Sequence, residues 1–344
     1  MTAPKLPDNV FPIKTFIHDL PPHFIPQPQQ QEQQQQPSPD NVSAKRLIII
    51  GDVHGMRNSL STLLTKLSFN KDAGDHLILT GDLINKGPDS GGVIDLAIQH
   101  GASAVRGNHD NAVLNAHAEI QSAVSSSGTF QIPEKYKDSP VNKYTTAMAL
   151  SEGQREWLAG LPLMIRVRIP EAGSGCFAGT KRVVVVHAGL VPGLELEGQD
   201  AHAVMHLRSL VPAATLSRDG DGDSSGNSED ENPFKPAEDH GEESWVGQWD
   251  QYQETQPSKT AVVFGHDAKR RLQLGKYATG LDSGCLYGGQ LSALVIELSE
   301  DGTELVKSIV QVECADEPVA PKEKRKDKVE NILGDEPVFP ATVI

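Results

Sequence analysis

The chain has 344 residues, 38% of them apolar, and a formal charge of −15. That length supplies one large domain or two ordinary ones, and the charge excludes a general nucleic-acid binder, which needs a basic footprint. A polyanionic substrate stays admissible, because a bound metal can reverse the local potential.

Three cysteines (Cys176, Cys285, Cys314), none in a CxxC pair, exclude a closed disulfide framework and favour a reducing, cytoplasmic setting. The N-terminus has no apolar h-region, and no long uncharged apolar stretch follows. Neither a signal peptide nor a membrane span is therefore expected.

Residues 1–44, with "PQPQQQEQQQQPSP", read as a disordered Pro/Gln-rich segment. From Lys45 the texture becomes that of a catalytic domain over 45–312. "RLIII" is a fully apolar strand, and "SLSTLLTKLSF" has helical spacing at Leu60, Leu63, Leu64 and Leu67. "HLILT" is a second strand, "SGGVIDLAIQHG" a second helix and "ASAVRG" a third strand. This βαβαβ alternation predicts parallel strands packed against helices. Residues 112–160 read as mostly helical, "LMIRVRI" and "RVVVVHAGL" as strands, and "HAVMHLRSLV" as a helix.

Residues 218–243 carry ten acids against two bases and almost nothing apolar, the composition of a solvated insertion. Asp219, Asp221, Asp223, Asn227 and Asp230 fall near EF-hand offsets, but Ser224 stands where that loop needs Gly. "TAVVFGHDA", "YATGLDS" and "QLSALVIELS" are three more strands, and 313–344 is a charged tail.

The chemistry lies where strands run out into glycine-containing turns. After "LIII" come Asp52 and His54; after "LILT", Asp82; after "SAV", Asn108, His109 and Asp110; after "VVVV", His187; after "AVVF", His266. Five strands thus deliver oxygen or imidazole donors at their carboxyl ends, where open α/β sheets bind ligands. Two Asp, one Asn and three His, without thiolate, suit Zn, Mn or Fe. Six donors are too many for one tetrahedral ion but natural for two ions sharing a carboxylate.

The ordered set GDVHG, GD, GNHD, HAG and GHD resembles the calcineurin-like metallophosphoesterase superfamily over roughly residues 46–300. "KGP", "VHAGLVPG", "FGHDAKRRLQ" and "GLDSGCLYGGQLSALVIE" are similar to the ApaH-like phosphatases of eukaryotes, a subgroup that includes fungal zinc-dependent endopolyphosphatases. The resemblance implies two facing mixed β-sheets flanked by helices, an α/β/β/α sandwich, and two divalent metal ions. It implies that Asp52, His54 and Asp82 hold one ion and that Asp82 bridges to a second, completed by Asn108 and His187. His266 is expected at either ion, with the second favoured, and His109 as general acid beside the leaving group.

Lys86, Arg208, Lys269, Arg270 and Arg271 are the cations expected to bind phosphate, with Arg106 balanced between that role and a solvated charge. His202 and His206, spaced i, i+4, read as helix-surface residues. The expected activity is hydrolysis of phosphoanhydrides, inorganic polyphosphate first, dinucleoside polyphosphates or capped nucleotides next, and phosphoprotein third. A non-catalytic metal-binding scaffold is the alternative of another class. Vacuolar endopolyphosphatases carry a membrane anchor, which this chain is read as lacking.

Overall fold

The computed structural model describes residues 9–28, 45–137, 139–171, 173–212 and 232–320. In chain order the strands are β1 (Ile17–Asp19), β2 (Arg46–Ile50), β3 (Asp75–Leu79), β4 (Ser103–Ala104), β5 (Met164–Arg168) and β6 (Thr180–Val186). They continue with β7 (Ser209–Pro212), β8 (Phe234–Ala237), β9 (Lys259–Phe264), β10 (Gln273–Leu274), β11 (Ala278–Gly280), β12 (Gln290–Leu298) and β13 (Leu305–Glu313). The helices are α1 (Arg57–Lys66), α2 (Ser90–Gln99), α3 (Asn108–Ser127), α4 (Lys143–Ala149), α5 (Glu152–Ala159), α6 (Ala203–His206) and α7 (Trp245–Thr255).

Two mixed sheets face each other, in strand orders β1-β5-β6-β9-β11-β10 and β13-β12-β2-β3-β4. The alternation of side chains along β2 shows why its run is wholly apolar. Leu47 and Ile49 pack between the sheets with Ile165, Val183, Val185 and Val263, while Ile48 and Ile50 pack on Leu60, Leu63 and Val93 of α1 and α2. A strand buried on both faces has no polar face to show. On the outer face of the six-stranded sheet, Val184, Val186 and Phe264 meet Trp245 and Trp249 of α7. Helices therefore cover both outer faces, and no helix among the described residues is long and apolar enough to cross a membrane.

β2–β3, β3–β4 and β6–β9 pair in parallel. The carboxyl ends of these strands gather the motif-bearing turns at one end of the sandwich.

The structure corrects four expectations. Residues 9–28, read as part of a disordered segment, pack on the domain: β1 pairs with β5, and Val10, Leu20 and Ile25 are buried. "HAVMHLRSLV" is not one helix, because α6 ends at His206 and Ser209–Pro212 forms β7. Within the insertion expected over 218–243, the portion from 232 carries β8, which pairs with β7; residues 218–231, with the EF-hand offsets, lie outside the described residues. Residues 313–320, read as the start of a charged tail, begin on the domain: Glu313 ends β13, which pairs along its whole length with β12, and Asp316 caps α1 by accepting from the Ser59 N–H at 2.8 Å.

Arg106 explains the first correction. It is fully buried, and its guanidinium donates to the carbonyls of Phe11 (3.0 Å), Pro12 (3.3 Å) and Ala159 (2.8 Å). It is neither a surface charge nor a phosphate ligand but the anchor of residues 9–28. Burial pulls its pKa down to about 10. Arg106→Ala leaves three partly buried carbonyls without their donor and a cavity where a fully buried side chain stood, and should cost on the order of 3 kcal/mol. Arg106→Lys should recover only part, since an ammonium cannot reproduce the fork. Denaturant melts and limited proteolysis between residues 9 and 28 measure both effects.

Candidate metal centre

The donors sit on turns whose backbone is itself strained. Of the seven non-glycine residues at positive φ among those described, six lie here: His54 (48°), Asp82 (49°), Asn85 (72°), Lys86 (69°), His266 (70°) and Arg271 (60°). Such conformations cost about 1–3 kcal/mol each and persist only where the surroundings enforce them. Two glycines allow the turns to touch. A Cβ on Gly107 would lie 2.2 Å from Asp82 Oδ1, and one on Gly265 would lie 1.9 Å from Asp52 Oδ1. Only a residue without a side chain permits either approach.

Asp52, His54 and Asp82 bring one donor atom each within 4.8 Å of one another, all buried. His54 Nε2 lies 3.5 Å from Asp82 Oδ2 and 4.0 Å from Asp52 Oδ2. The other Asp82 oxygen, Oδ1, lies 3.4 Å from His187 Nε2, which is 3.0 Å from Asn108 Oδ1 and 3.2 Å from His266 Nδ1. Thus the two oxygens of Asp82 face two different groups of donors, and His266 belongs to the one containing His187.

The outward ring nitrogens settle which atoms point inward. His54 Nδ1–H donates to the Ile84 carbonyl (3.4 Å), His187 Nδ1–H to Thr80 (2.9 Å) and His266 Nε2–H to His206 (3.2 Å). A carbonyl can only accept, so each imidazole turns a bare lone pair inward, His54 and His187 toward the carboxylates and His266 toward His187. Burial holds all three histidines below the usual range, His187 at about 3, so they are neutral donors at ordinary pH.

Around them, burial raises the pKa of Asp52, and lifts Asp82 and Asp282 to about 6. Lone pairs of imidazole, carboxylate and amide converge here, and the carboxylates are only partly satisfied by the backbone N–H groups of His109 and His266. Cations are what such a set accommodates, and its mix of nitrogen and oxygen without sulfur fits Zn, Mn or Fe.

Asp282 is a residue the sequence reading missed. It follows β11 at "GLD", the same strand–glycine–carboxylate pattern that marked Asp82, and lines the cavity beside the donors. Asp110, in the same turn as Asn108 and His109, has a structural role. Its buried carboxylate accepts from the N–H groups of Gly107 (2.9 Å), Leu83 (3.0 Å) and Ile84 (3.3 Å), clasping the start of α3 to the Asp82 turn.

His109 lies at the rim. Asn85 Oδ1 accepts the Lys86 N–H at 2.9 Å, so the Asn85 amide turns its N–H toward His109 Nδ1 at 3.1 Å. His109 therefore carries its ring proton on Nε2. Burial, then the charge of Lys86, hold it well below the usual range.

The expected cations divide. Lys86, Arg208 and Lys269 line a cavity of about 210 Å³ together with His54, Asn108, His109 and Asp282. Lys86 Nζ lies 3.4 Å from His54 Nε2. Arg270 instead pairs with Asp267 at 2.8 Å and donates to the His240 carbonyl, and Arg271 donates to the Ser283 carbonyl at 2.6 Å. Both hold loops and neither lines the cavity. His202 pairs with Glu238 at 2.6 Å and its ring stacks on that of His206, whose carbonyl orients His266. A second cavity, about 570 Å³, opens beside the first and shares Lys86, His109 and Tyr287 with it. Tyr136, Val141, Lys143 and Val319 also line it.

The chain is 27% identical over 291 residues to a symmetrical bis(5'-nucleosyl)-tetraphosphatase of Photorhabdus laumondii, covering 72% of this chain and 92% of that protein. It is 24% identical over 288 residues to a zinc-dependent endopolyphosphatase of Saccharomyces cerevisiae, covering 79% and 82% respectively. A crystal structure described as "a putative diadenosine tetraphosphatase" matches with a TM-score of 0.57 at 29% identity, covering 87% of this chain and 98% of that one. Residues 45–270 match the calcineurin-like phosphoesterase family, and the chain belongs to that family of metal-dependent hydrolases.

Proposed function

We propose that this protein hydrolyses phosphoanhydride bonds with two divalent cations, Zn, Mn or Fe. One is held by Asp52, His54 and Asp82, the other by Asp82, Asn108, His187 and His266. Bound there, the cations supply positive charge against the phosphoryl oxygens and acidify water. The chain's own residues do the rest. Lys86, Arg208 and Lys269 neutralise non-bridging oxygens along the substrate, while His109 Nε2–H donates to the departing oxygen.

The Asn85–His109 hydrogen bond carries the choice of anhydride over ester. An amide N–H facing Nδ1 (3.1 Å) holds the ring as its neutral Nε2–H tautomer. An imidazolium would set two donors against each other, and among the described residues no carboxylate bonds to this ring to stabilise the charge. A neutral imidazole is a weak acid. Alkoxide leaving groups need a strong acid, whereas a phosphate leaving from an anhydride is a far weaker base.

Of the two anhydride classes, the second cavity favours a dinucleoside polyphosphate, since Tyr136 and Tyr287 offer rings for a base. This is also the substrate in the name of the Photorhabdus relative. Inorganic polyphosphate, the substrate in the name of the yeast relative, is the second reading. It is favoured by the three cations of the smaller cavity.

Three expected outcomes test this reading. Asp82→Asn should lower kcat on the order of 10²-fold or more and reduce bound metal below that of any other single-donor variant. Near-normal turnover with two retained metals would assign the bridge elsewhere. His109→Asn should cost about 10²-fold or more on an alkyl phosphate but only about tenfold on tripolyphosphate, and equal losses would remove the argument from Asn85. Tyr287→Ala should raise KM for diadenosine tetraphosphate about tenfold while leaving tripolyphosphate unaffected. A parallel rise on both substrates would favour the polyphosphate reading.

A further inference from the structure

Two of the three cysteines, 29 positions apart and in no recognisable pairing motif, meet in the fold. Cys285 Sγ lies 2.7 Å from Cys314 Sγ, inside the contact distance of two sulfur atoms that ignore each other. Both are free thiols, as is the exposed Cys176. Cys285 opens the short turn Cys285–Tyr287, and Cys314 follows β13 directly.

Backbone bonds hold the partners in place. The Cys314 N–H donates to the Gly289 carbonyl (3.1 Å), and the Val319 N–H to the Leu286 carbonyl (2.8 Å). Asp316, between them, is tied to Ser59 of α1 through its N–H (2.8 Å) and Oγ (2.6 Å). The two sulfurs therefore approach from segments already docked, so a bond needs little movement of either.

We propose that Cys285 and Cys314 are a disulfide site, closed by thiol–disulfide exchange with a small-molecule disulfide such as oxidised glutathione. Cys285 is buried, and burial raises its thiol pKa, whereas Cys314 is partly accessible. Cys314 is thus the first nucleophile. Its thiolate attacks one glutathione sulfur, forming a mixed disulfide and releasing one glutathione thiolate. The Cys285 thiolate then attacks the Cys314 sulfur and releases the second. Two protein thiols are oxidised, one glutathione disulfide is reduced to two thiols, and the two protein protons pass to those products.

The bond would join two walls of one cleft. Tyr287 stands on the Cys285 turn, Val319 on the segment after Cys314, and both line the 570 Å³ cavity beside His109. Closing a loop of 30 residues also removes freedom from the unfolded chain.

The test uses the full chain carrying Cys176→Ala, which leaves two thiols. It is incubated with reduced or with oxidised glutathione, quenched in acid, alkylated and mapped by mass spectrometry without reduction. The expected result is a single cross-linked peptide pair joining Cys285 to Cys314, with no free thiol left. Tm should rise by about 5 °C or more over the reduced form. The Val319 amide should exchange more slowly with deuterium. In Cys314→Ser, made in the same background, none of these changes should appear. Two alkylated thiols, or glutathione on both cysteines, after exposure to excess oxidant would overturn the proposal. So would a Tm rise that persists in Cys314→Ser. None of these readouts requires turnover, so the outcome is independent of which phosphate compound is the substrate.

Discussion

The carboxylate of Asp82 ties the donor end of the molecule together. One oxygen faces His54, and the other faces His187 while accepting the His109 N–H at 2.8 Å. β3 brings it between β2 and β4, the strands that lead to Asp52 and Asn108, and the facing sheet brings His187 and His266 from β6 and β9. A single anion thus lies where both sheets end. Its burial is unfavourable in isolation, and the surrounding structure exists in part to hold it there.

That holding explains the strain. Five of the six strained residues belong to turns that carry Asp52, Asp82 or His266, or that follow Asp82 directly. Gly107 and Gly265 let backbone and carboxylate come closer than any Cβ would permit. The imidazoles are fixed in one tautomer by backbone carbonyls, which cannot rearrange as side chains do. The site is built from main-chain geometry, and so it depends on the two sheets staying in register more than on any loop.

Segments remote in sequence close the site. Arg106, two positions before the Asn108 donor, locks residues 9–28 against the domain through carbonyls of Phe11 and Pro12. The chain beyond β13 caps α1 with Asp316 and then walls the larger cavity with Val319. The turn at Cys285–Tyr287 meets that same segment. The cavity walls and the terminal segments are therefore mechanically continuous.

The sequence by itself determined the run of buried strands and the polar residues at their ends, while the facing of two sheets was implied only by the family resemblance. Runs such as "RLIII" and "VVVV" bury both faces of a strand, and the glycine turns after them announce Asp52, Asp82, Asn108, His187 and His266, because strand period and turn chemistry are local properties. Asp282 obeyed the same local rule and was legible there too. Local pattern could not tell which cations line the cavity. Arg208 and Lys269 line the cavity, whereas Arg270 and Arg271 bond to loops and Arg106 lies buried, although all are basic residues near motifs. Nor could it show that residues 9–28 pack, that residues 209–212 and 234–237 pair as strands, or that Cys285 meets Cys314. Each of these depends on contacts between residues distant in sequence, which exist only once the chain has folded.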